Sequence, residues 1–255
     1  MMDRNNKEEV LKLVKLEGGA LQDVSDRLKD DKDVVLQAVR HKGYALEWAS
    51  NRLKDDYDVV FEAVIRDGWA LQFASNRLRD DFSIVWEAVK NYGFALEYAS
   101  DNLKNDEYFI KRVVENQWWT LEFASDKMKD NKEIVLTAIK DNTKAIQFAS
   151  DRLKDDRGFI LELVNLGGWF LEYASPNLQD DKEVVLTAVK NYGMSLKFAS
   201  DRLRDNEEVV KEAIENNPFA LSYASDKLKE QFLTPKKKET NSFGKITRKF
   251  FKIFD

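Results

Sequence analysis

Apolar residues recur along this chain with a fixed period of 25 residues. The hexapeptide ALEWAS at Ala45–Ser50 returns as ALQFAS at Ala70–Ser75 and as ALEYAS at Ala95–Ser100. Looser copies follow, and serine occupies position 25 and every twenty-fifth position up to 225, without insertion or deletion. A strict period of about 20–50 residues is typical of repeat architectures, in which each copy stacks on its neighbours. The pattern therefore predicts nine copies of one small structural unit.

The first half of each copy predicts an amphipathic helix of about ten residues. In the second copy, the apolar side chains after Asp31 fall on one helix face, at i, i+1, i+4 and i+5: Val34, Val35, Ala38 and Val39. Asp31 is a suitable N-cap, and Asp33 adds negative charge to the first turn, where the helix dipole favours it. We predict that Gly43 ends this helix in the left-handed conformation common at helix C-termini.

The second half, Tyr44–Ser50, predicts a short second helix that is apolar on nearly every side and deeply packed. In the last copy, Pro218 replaces the glycine and marks the first residue of this helix, with Asn217 as its cap. Pro176 directly follows Ser175, so the helix ends before the serine, which then caps a short turn.

A single unit of this size cannot bury its apolar faces, so the copies must stack. The predicted fold class is all-α: an α-solenoid of about nine 25-residue repeats over residues 1–231, each a ten-residue helix plus a short second helix and a capped turn. The repeated pattern aromatic-Ala-Leu-Glu-aromatic-Ala-Ser, followed by Asp-Arg-Leu-Lys-Asp-Asp and Val-Val-Leu-x-Ala-Val, resembles an uncharacterised repeat family, domain of unknown function 4116, over about residues 7–231. The resemblance implies no assigned activity. In layout alone, the unit is also similar to leucine-rich variant repeats.

Composition and charge narrow the possible functions. The chain has no cysteine, which excludes disulfides, thiolate metal sites and cysteine nucleophiles. Its first residues carry charges where a secretory signal has an apolar core, and no stretch approaches the roughly 18 apolar residues of a membrane span, so we expect a cytoplasmic protein. Residues 232–255 hold seven Lys or Arg against two acidic residues, whereas the whole chain has a net charge of −5. The body is therefore acidic, which disfavours nucleic acid as a partner.

The basic C-terminal region predicts two segments. Residues 232–242 are polar and contain a proline, which is typical of a linker, and residues 243–254 predict a basic amphipathic helix. Its apolar and basic side chains fall at helical spacing: Phe243, Ile246, Phe250 and Ile253, with Lys245, Arg248, Lys249 and Lys252. Such a helix suits three roles: it could cover the open apolar face of the last repeat, bind a groove on a protein partner, or bind an anionic membrane surface.

A candidate partner surface emerges where the copies differ. The third apolar position of the ten-residue helix holds Lys111 and Lys211 in two copies, so this position is at least partly exposed. The equivalent Phe61 and Trp86 then lie near the surface, and with other aromatic residues they form a candidate partner surface: Tyr57, Phe61, Phe82, Trp86, Tyr92 and Trp118. The alternative is that these rings fill space between repeats.

Two repeated charge patterns have structural interpretations. Aspartate pairs such as Asp30–Asp31 run directly into a helix, which favours helix capping over a calcium loop. One basic residue per repeat precedes most of these pairs and could follow a phosphate backbone, but the adjacent aspartate is expected to neutralise it: Lys29, Lys54, Arg79, Lys104, Lys129, Lys154, Arg204 and Lys229.

The sequence contains no phosphate loop and no catalytic triad, and His41 is its only histidine. We therefore expect no cofactor, no metal and no enzymatic activity. The composition favours a scaffold for protein–protein interaction through an extended repeat surface. A membrane-surface adaptor recruited by the C-terminal helix stays open as an alternative, as does a groove binder of a small ligand or nucleic acid.

Overall fold

Residues 4–233 are described by the structure, a computed structural model, and they form α-helices, 3₁₀ helices and short turns without a β-strand. Each copy of the repeat begins with a ten-residue α-helix. These nine helices are Lys7–Leu16, Lys32–His41, Tyr57–Arg66, Phe82–Asn91, Glu107–Asn116, Lys132–Asp141, Arg157–Leu166, Lys182–Asn191 and Glu207–Asn216. The predicted all-α repeat fold is confirmed.

The second helix of each copy is a six-residue 3₁₀ helix. These helices are Gly18–Asp23, Gly43–Trp48, Gly68–Phe73, Gly93–Tyr98, Trp118–Phe123, Thr143–Phe148, Gly168–Tyr173, Gly193–Phe198 and Pro218–Tyr223. A single short helical turn completes each copy: Asp26–Lys29, Leu53–Asp55, Leu78–Asp80, Asp101–Lys104, Asp126–Lys129, Asp151–Lys154, Pro176–Gln179 and Asp201–Arg204. In the last copy the turn is replaced by a longer helix, Asp226–Leu233, so the first two residues of the predicted linker are helical.

The chain divides into two compact units, Met1–Phe148 and Ala149–Asp255. Within each unit, the ten-residue helices of successive repeats pack side by side, and the 3₁₀ helices pack on them and on one another. The predicted apolar face forms the core, and in the second repeat all four of its residues are fully buried: Val34, Val35, Ala38 and Val39. Full burial of a valine or leucine side chain contributes about 1.5–3 kcal/mol, so stacking supplies the stability that one repeat lacks.

The glycine between the two helices has a different role from the one predicted. No glycine among the described residues has a positive φ angle, and the helix of the second repeat ends at His41, with Lys42 as its C-cap at φ −143°. A Cβ atom at Gly43 would lie 2.7 Å from the Cβ of Asp67 in the next repeat, and closer still to the carbonyl oxygen of Ala63. The predicted left-handed terminus was wrong. Glycine is needed here because the backbone of the next repeat approaches too closely for any side chain.

The two prolines mark the boundaries as predicted. Pro218 begins a 3₁₀ helix whose cap, Asn217, accepts a hydrogen bond from the N–H of Phe219 at 3.0 Å. Pro176 is the first residue of a short turn, and the Ser175 hydroxyl oxygen accepts from the N–H of Leu178 at 3.3 Å.

The repeated serine caps the short turn in eight copies, but not in the first. In the second repeat, Ser50 Oγ accepts from the N–H of Leu53 at 3.3 Å. Ser25 makes no such bond, and its buried Oγ has no hydrogen-bond partner among the described residues.

Only the second aspartate of each pair caps a helix. Asp31 Oδ1 accepts from the N–H groups of Asp33 and Val34, at 3.1 and 3.3 Å. Asp30 instead accepts from the next repeat, from the Ser50 hydroxyl and from Arg52 Nε at 3.0 Å. The capping prediction was therefore right for the second aspartate and wrong for the first, whose carboxylate links two repeats.

None of the described helices is long and apolar enough to cross a membrane. The helix predicted at 243–254, and all of the predicted linker after Leu233, lie outside the described residues. The three roles considered for that helix therefore stay predictions.

Candidate protein-interaction surface

The third apolar position of the ten-residue helices lies at the edge of the core. Phe61 and Trp86 are half-buried there, and Lys211 is exposed. Lys111 is also half-buried, and its ammonium pairs with Glu133 of the next repeat. The position can hold either an aromatic side chain or a lysine because one side of it is exposed to solvent. This agrees with the partial exposure that the sequence predicts.

Aromatic residues on these helices form the helix-face cluster, defined as Tyr57, Phe61, Phe82, Trp86 and Tyr108. Tyr57 is 41% exposed and stacks on Phe61, one turn later, with ring centroids 5.8 Å apart. Phe82 stacks on Tyr108 of the next repeat at 6.2 Å. These contacts join rings within and between repeats and leave the tyrosines open to solvent.

Trp86 is less available than the other members of the helix-face cluster. The guanidinium of Arg112, in the next repeat, lies 4.4 Å from the centroid of its ring. Such a cation–π contact contributes about 0.5–1 kcal/mol at an exposed site. Space filling between repeats, the alternative considered for the predicted surface, therefore describes Trp86 well.

The other two predicted residues lie near the 3₁₀ helices. Tyr92 contacts Trp69 and Phe94, with ring centroids 6.1 and 5.3 Å apart. Trp118, the first residue of its 3₁₀ helix, contacts Phe148 at 6.3 Å. The six predicted residues are thus divided between the outer face of the ten-residue helices and the 3₁₀ helices.

Two exposed rings of this second region, one indole and one phenyl, were not predicted. Trp69 is 45% exposed and Phe94 is 43% exposed. Phe94 also contacts Trp119 at 4.5 Å. We call Trp69, Tyr92, Phe94 and Trp119 the 3₁₀-face cluster. The expectation that the second helix is deeply packed on nearly every side was wrong at its second residue, which projects outward while the alanine and leucine after it are buried.

One sequence signal could have found these residues. The position after the glycine holds aromatic residues in most copies, but it holds Lys144 in the sixth repeat and Met194 in the eighth. Lys144 is exposed. Lysine at an equivalent position indicates exposure to solvent. Lys111 and Lys211 indicate it for the position of Phe61 and Trp86, and Lys144 indicates it in the same way for the position of Trp69 and Phe94.

Comparison with known families assigns the repeat itself. A family model described as a domain of unknown function, DUF4116, matches residues 6–54, 56–104, 106–154, 131–179, 156–204 and 181–229. The chain belongs to this family. No curated protein and no solved structure matches the chain. Each matched window spans two of the 25-residue repeats.

Ion pairs connect neighbouring repeats of this DUF4116 protein on the helix N-terminal side. Lys32, the first residue of its helix, pairs with Asp56 and Asp58 of the next repeat, at 2.9 and 2.7 Å. Hydrogen bonds to Asp58 and then to Asp56 raise the pKa of Lys32 above its ordinary value. The groups are largely solvated, so each pair contributes little to stability.

Two of the repeated cations pair with an aspartate other than the one predicted. Arg204 pairs with Asp201, and Lys229 pairs with Asp226 at 3.1 Å, in both cases three residues earlier. Where the contact is known, the adjacent aspartate binds the serine of the next repeat instead, as Asp205 accepts from the Ser225 hydroxyl at 2.5 Å. The expected neutralisation by the neighbouring residue was wrong in this detail.

A groove of about 310 Å³ between Arg204 and Lys229 is also lined by Tyr223, and both cations are already paired within it. Over residues 4–233, no group of three or more histidine, aspartate or glutamate side chains is arranged to hold a metal ion. His41 has a structural contact, since its Nδ1 accepts from the N–H of Gly18 at 3.1 Å.

Proposed function

We propose that this DUF4116 protein is a non-enzymatic scaffold that binds protein partners through the outward side chains of its repeats. The observation that carries the proposal is the pair of exposed rings Trp69 and Phe94, which stand on a regularly stacked backbone. Large aromatic side chains dominate the binding energy of many protein interfaces. A frame that holds them before binding reduces the conformational entropy lost on association.

The difference between buried and outward positions within each repeat supports this proposal. Most inward positions repeat the same small apolar residues, whereas the position of Trp69 changes from copy to copy among glycine, tyrosine, tryptophan, phenylalanine, lysine and methionine. Packing explains the constant positions. The variable position is free to encode a partner, because its side chain does not fill the core.

The 3₁₀-face cluster supports partner binding better than the helix-face cluster does. Trp86 already lies against the guanidinium of Arg112, whereas Trp69 and Phe94 present more than two fifths of their surface to solvent. Desolvation of a ring that is still exposed yields the larger gain on binding.

Site-specific photocrosslinking tests the scaffold function. A benzophenone-bearing phenylalanine replaces Trp69 or Phe61 in the full chain, and an extract of the native host is irradiated. We expect a discrete protein adduct from position 69. The matched control is the same residue at Lys144, the equivalent exposed position in a repeat without an aromatic side chain there. Equal adducts from positions 69 and 144, or none from positions 69 and 61, would contradict the proposal.

A second candidate function is a membrane-surface adaptor. It is supported by the basic amphipathic pattern at residues 243–254, where phenylalanine and isoleucine alternate with lysine and arginine at helical spacing. Flotation with liposomes that contain anionic lipid should then bring up the full chain but not a chain that ends at residue 239. Loss of thermal stability on truncation, without flotation of either chain, would instead favour a cap on the last repeat. Groove binding of a small ligand or nucleic acid has weaker support, because the cations of the groove are paired.

A further inference from the structure

The 3₁₀-face cluster combines exposed aromatic rings with acidic side chains in register. A 3₁₀ helix has about three residues per turn, so side chains at i and i+3 lie on the same side. The residues three positions after Trp69 and Phe94 are Gln72 and Glu97. Glu97 is exposed, and Gln72 is half-buried. Each outward ring therefore has a carboxylate or carboxamide beside it.

The acidic row continues beyond Phe94. Glu122 is exposed and stands three residues after Trp119. Lys104 donates to the backbone carbonyl of Glu97 at 2.5 Å. The row thus presents acceptors and negative charge next to the rings.

The electrostatics of the cluster agree with this placement. Burial raises the pKa of Tyr98, and the charges of Glu97 and Tyr92 add to that effect. The Tyr98 ring also lies 6.3 Å from the ring of Trp69. Tyr98, which directly follows Glu97 in the chain, therefore lies against the Trp69 ring of the cluster.

The spacing of the rows matches an extended peptide of one particular conformation. Helices packed side by side lie about 8–10 Å apart, so the backbone positions of Trp69 and Phe94, in successive repeats, are separated by about that distance. A polyproline II helix has three residues per turn and rises about 3.1 Å per residue, so it advances about 9 Å per turn. A peptide in this conformation that runs along the stack would present its residues i and i+3 to Trp69 and Phe94, which Tyr92 separates, whereas the rings of Phe94 and Trp119 touch at 4.5 Å and form one contact.

We propose that the 3₁₀-face cluster binds a proline-rich segment that carries lysine or arginine, in the polyproline II conformation. This inference rests on the proposed scaffold function and names its partner class. Prolines would pack on Trp69 and Phe94, with Tyr92 in contact with both rings, and the basic side chains would meet Glu97 and Glu122. Single-stranded nucleic acid would also stack on the rings, but its phosphates would meet the acidic row, which disfavours it.

Fluorescence anisotropy with a labelled peptide tests this inference on the full chain. The probe is a 12-residue peptide with proline at every third position and four lysines between them. A second peptide has alanine in place of each proline and keeps the charge. We expect saturable binding of the first peptide, and at least tenfold weaker binding of the second. Equal binding of both peptides would show a purely electrostatic interaction and would overturn the proposal, as would no binding at all.

Variants that the frame tolerates locate the site. Phe94→Met places at this position the residue that the chain carries at Met194, so the fold accepts it, and we expect binding to weaken about tenfold. Trp69→Ala should have a similar effect, and Glu97→Gln with Glu122→Gln should remove most of the salt dependence of binding. Circular dichroism spectra and melting temperatures would confirm that each variant is folded.

The matched control is Trp169→Ala. Trp169 is 42% exposed, and its ring centroid lies 6.2 Å from that of Tyr192. The position equivalent to Phe94, however, holds Met194. This variant should bind the peptide as the parent chain does, and a loss equal to that of Trp69→Ala would contradict the assigned site.

The outcomes separate this inference from the scaffold function. A protein adduct at position 69 without peptide binding would reject the proline-rich ligand and leave the scaffold intact. A labelled oligouridine that binds in competition with the peptide, and more tightly, would overturn the choice of ligand in favour of single-stranded RNA.

Discussion

Two stretches of the chain, one hundred residues apart, have nearly the same backbone framework but differ in several outward side chains. Trp69 and Tyr92 in the first unit have ring centroids 6.1 Å apart, and Trp169 and Tyr192 in the second have centroids 6.2 Å apart. The rings differ in tilt, at 28° and 79°, and the position of Phe94 is taken by Met194. The backbone frame is thus reproduced, whereas the surface that it displays differs between Phe94 and Met194 and between Glu97 and Lys197.

The glycine before each tryptophan explains why the frame is so constant. A Cβ at Gly68 would lie 2.8 Å from the Cβ of Tyr92, and a Cβ at Gly168 would lie 2.9 Å from the Cβ of Tyr192. Both would also collide with a backbone carbonyl oxygen of the following repeat. The same close approach sets the distance between the repeats and the position of the tyrosine ring.

Substitution of these glycines should have the largest effect on the free energy of unfolding. Gly68→Ala and Gly168→Ala each force neighbouring repeats apart, and overpacking of this kind costs about 1–3 kcal/mol. We expect the two variants to lower the free energy of unfolding by similar amounts, measured by urea denaturation. A much smaller effect in one unit would show that the frames are not equivalent.

Gly158→Ala is the control for the effect of the methyl group alone. Its Cβ would meet only the Oδ1 of Asp156, at 3.4 Å, and alanine is favoured over glycine in a helix by up to about 1 kcal/mol. This variant should be neutral or slightly stabilising.

The comparison also shows why some features could be predicted from the sequence. The apolar face of Val34 and its equivalents, the N-cap at Asp31 and the boundaries at Pro176 and Pro218 depend on local periodicity and backbone chemistry. The structure confirms each of them. These properties depend on a few neighbouring residues, so the sequence of one repeat is sufficient to predict them.

Features that depend on the next repeat were missed. The close approach at Gly43, the link from Asp30 to Ser50 and the outward position of Trp69 all involve contacts or exposure that only stacking defines. A glycine after a helix has the same sequence signature whether it adopts a positive φ or makes room for a neighbour. Variation between equivalent positions, with Lys144 as the marker, was the one sequence signal for the exposed row.

Loss of the repeated serine should have the second-largest effect on the free energy of unfolding, and the effect should be equal in both units. Ser75 and Ser200 each accept from a backbone N–H, at 3.3 Å, and donate to an aspartate of the preceding repeat. Loss of such a cap costs about 0.5–2 kcal/mol, which is the decrease that we expect for Ser75→Ala and Ser200→Ala in thermal or urea unfolding.

Ser25 provides the matched control. Its buried hydroxyl has no hydrogen-bond partner among the described residues, so Ser25→Ala removes a desolvated polar atom and should be neutral or slightly stabilising. A cost for Ser25→Ala equal to that for Ser75→Ala would mean that the link between repeats contributes nothing.

Met194→Phe tests the difference between the two stretches directly. The substitution restores the missing third ring beside Trp169 and Tyr192, and an aromatic pair contributes about 0.5–1.5 kcal/mol beyond its buried area. If three rings make the binding site, the variant should bind a second proline-rich peptide, and the stoichiometry in calorimetry should rise from one to two. A stoichiometry that stays at one would indicate that Glu97, for which the second unit has Lys197, matters more than the rings.

Low pH should lower the stability of both units through the aspartate that links neighbouring repeats. We expect this effect to be the smallest of the four predicted here. The Ser75 hydroxyl, followed by the Arg77 guanidinium, holds the pKa of Asp55 below its ordinary value, although desolvation acts in the opposite direction. In the second unit, Ser200 and then Arg202 have the same effect on the pKa of Asp180.

Because these pKa values are lower in the folded state, the links stabilise the fold above the unfolded value of about 3.9. That stability is lost as the pH falls further, through the folded pKa. Urea unfolding between about pH 4 and pH 2 should therefore show a shallower pH dependence for Arg77→Gln and Arg202→Gln than for the parent chain. Arg27 is the equivalent residue in the first repeat, and it donates to the backbone carbonyl of Asn5 at 2.6 Å instead of to a carboxylate. Arg27→Gln should leave the pH dependence unchanged, since no titrating group loses its partner.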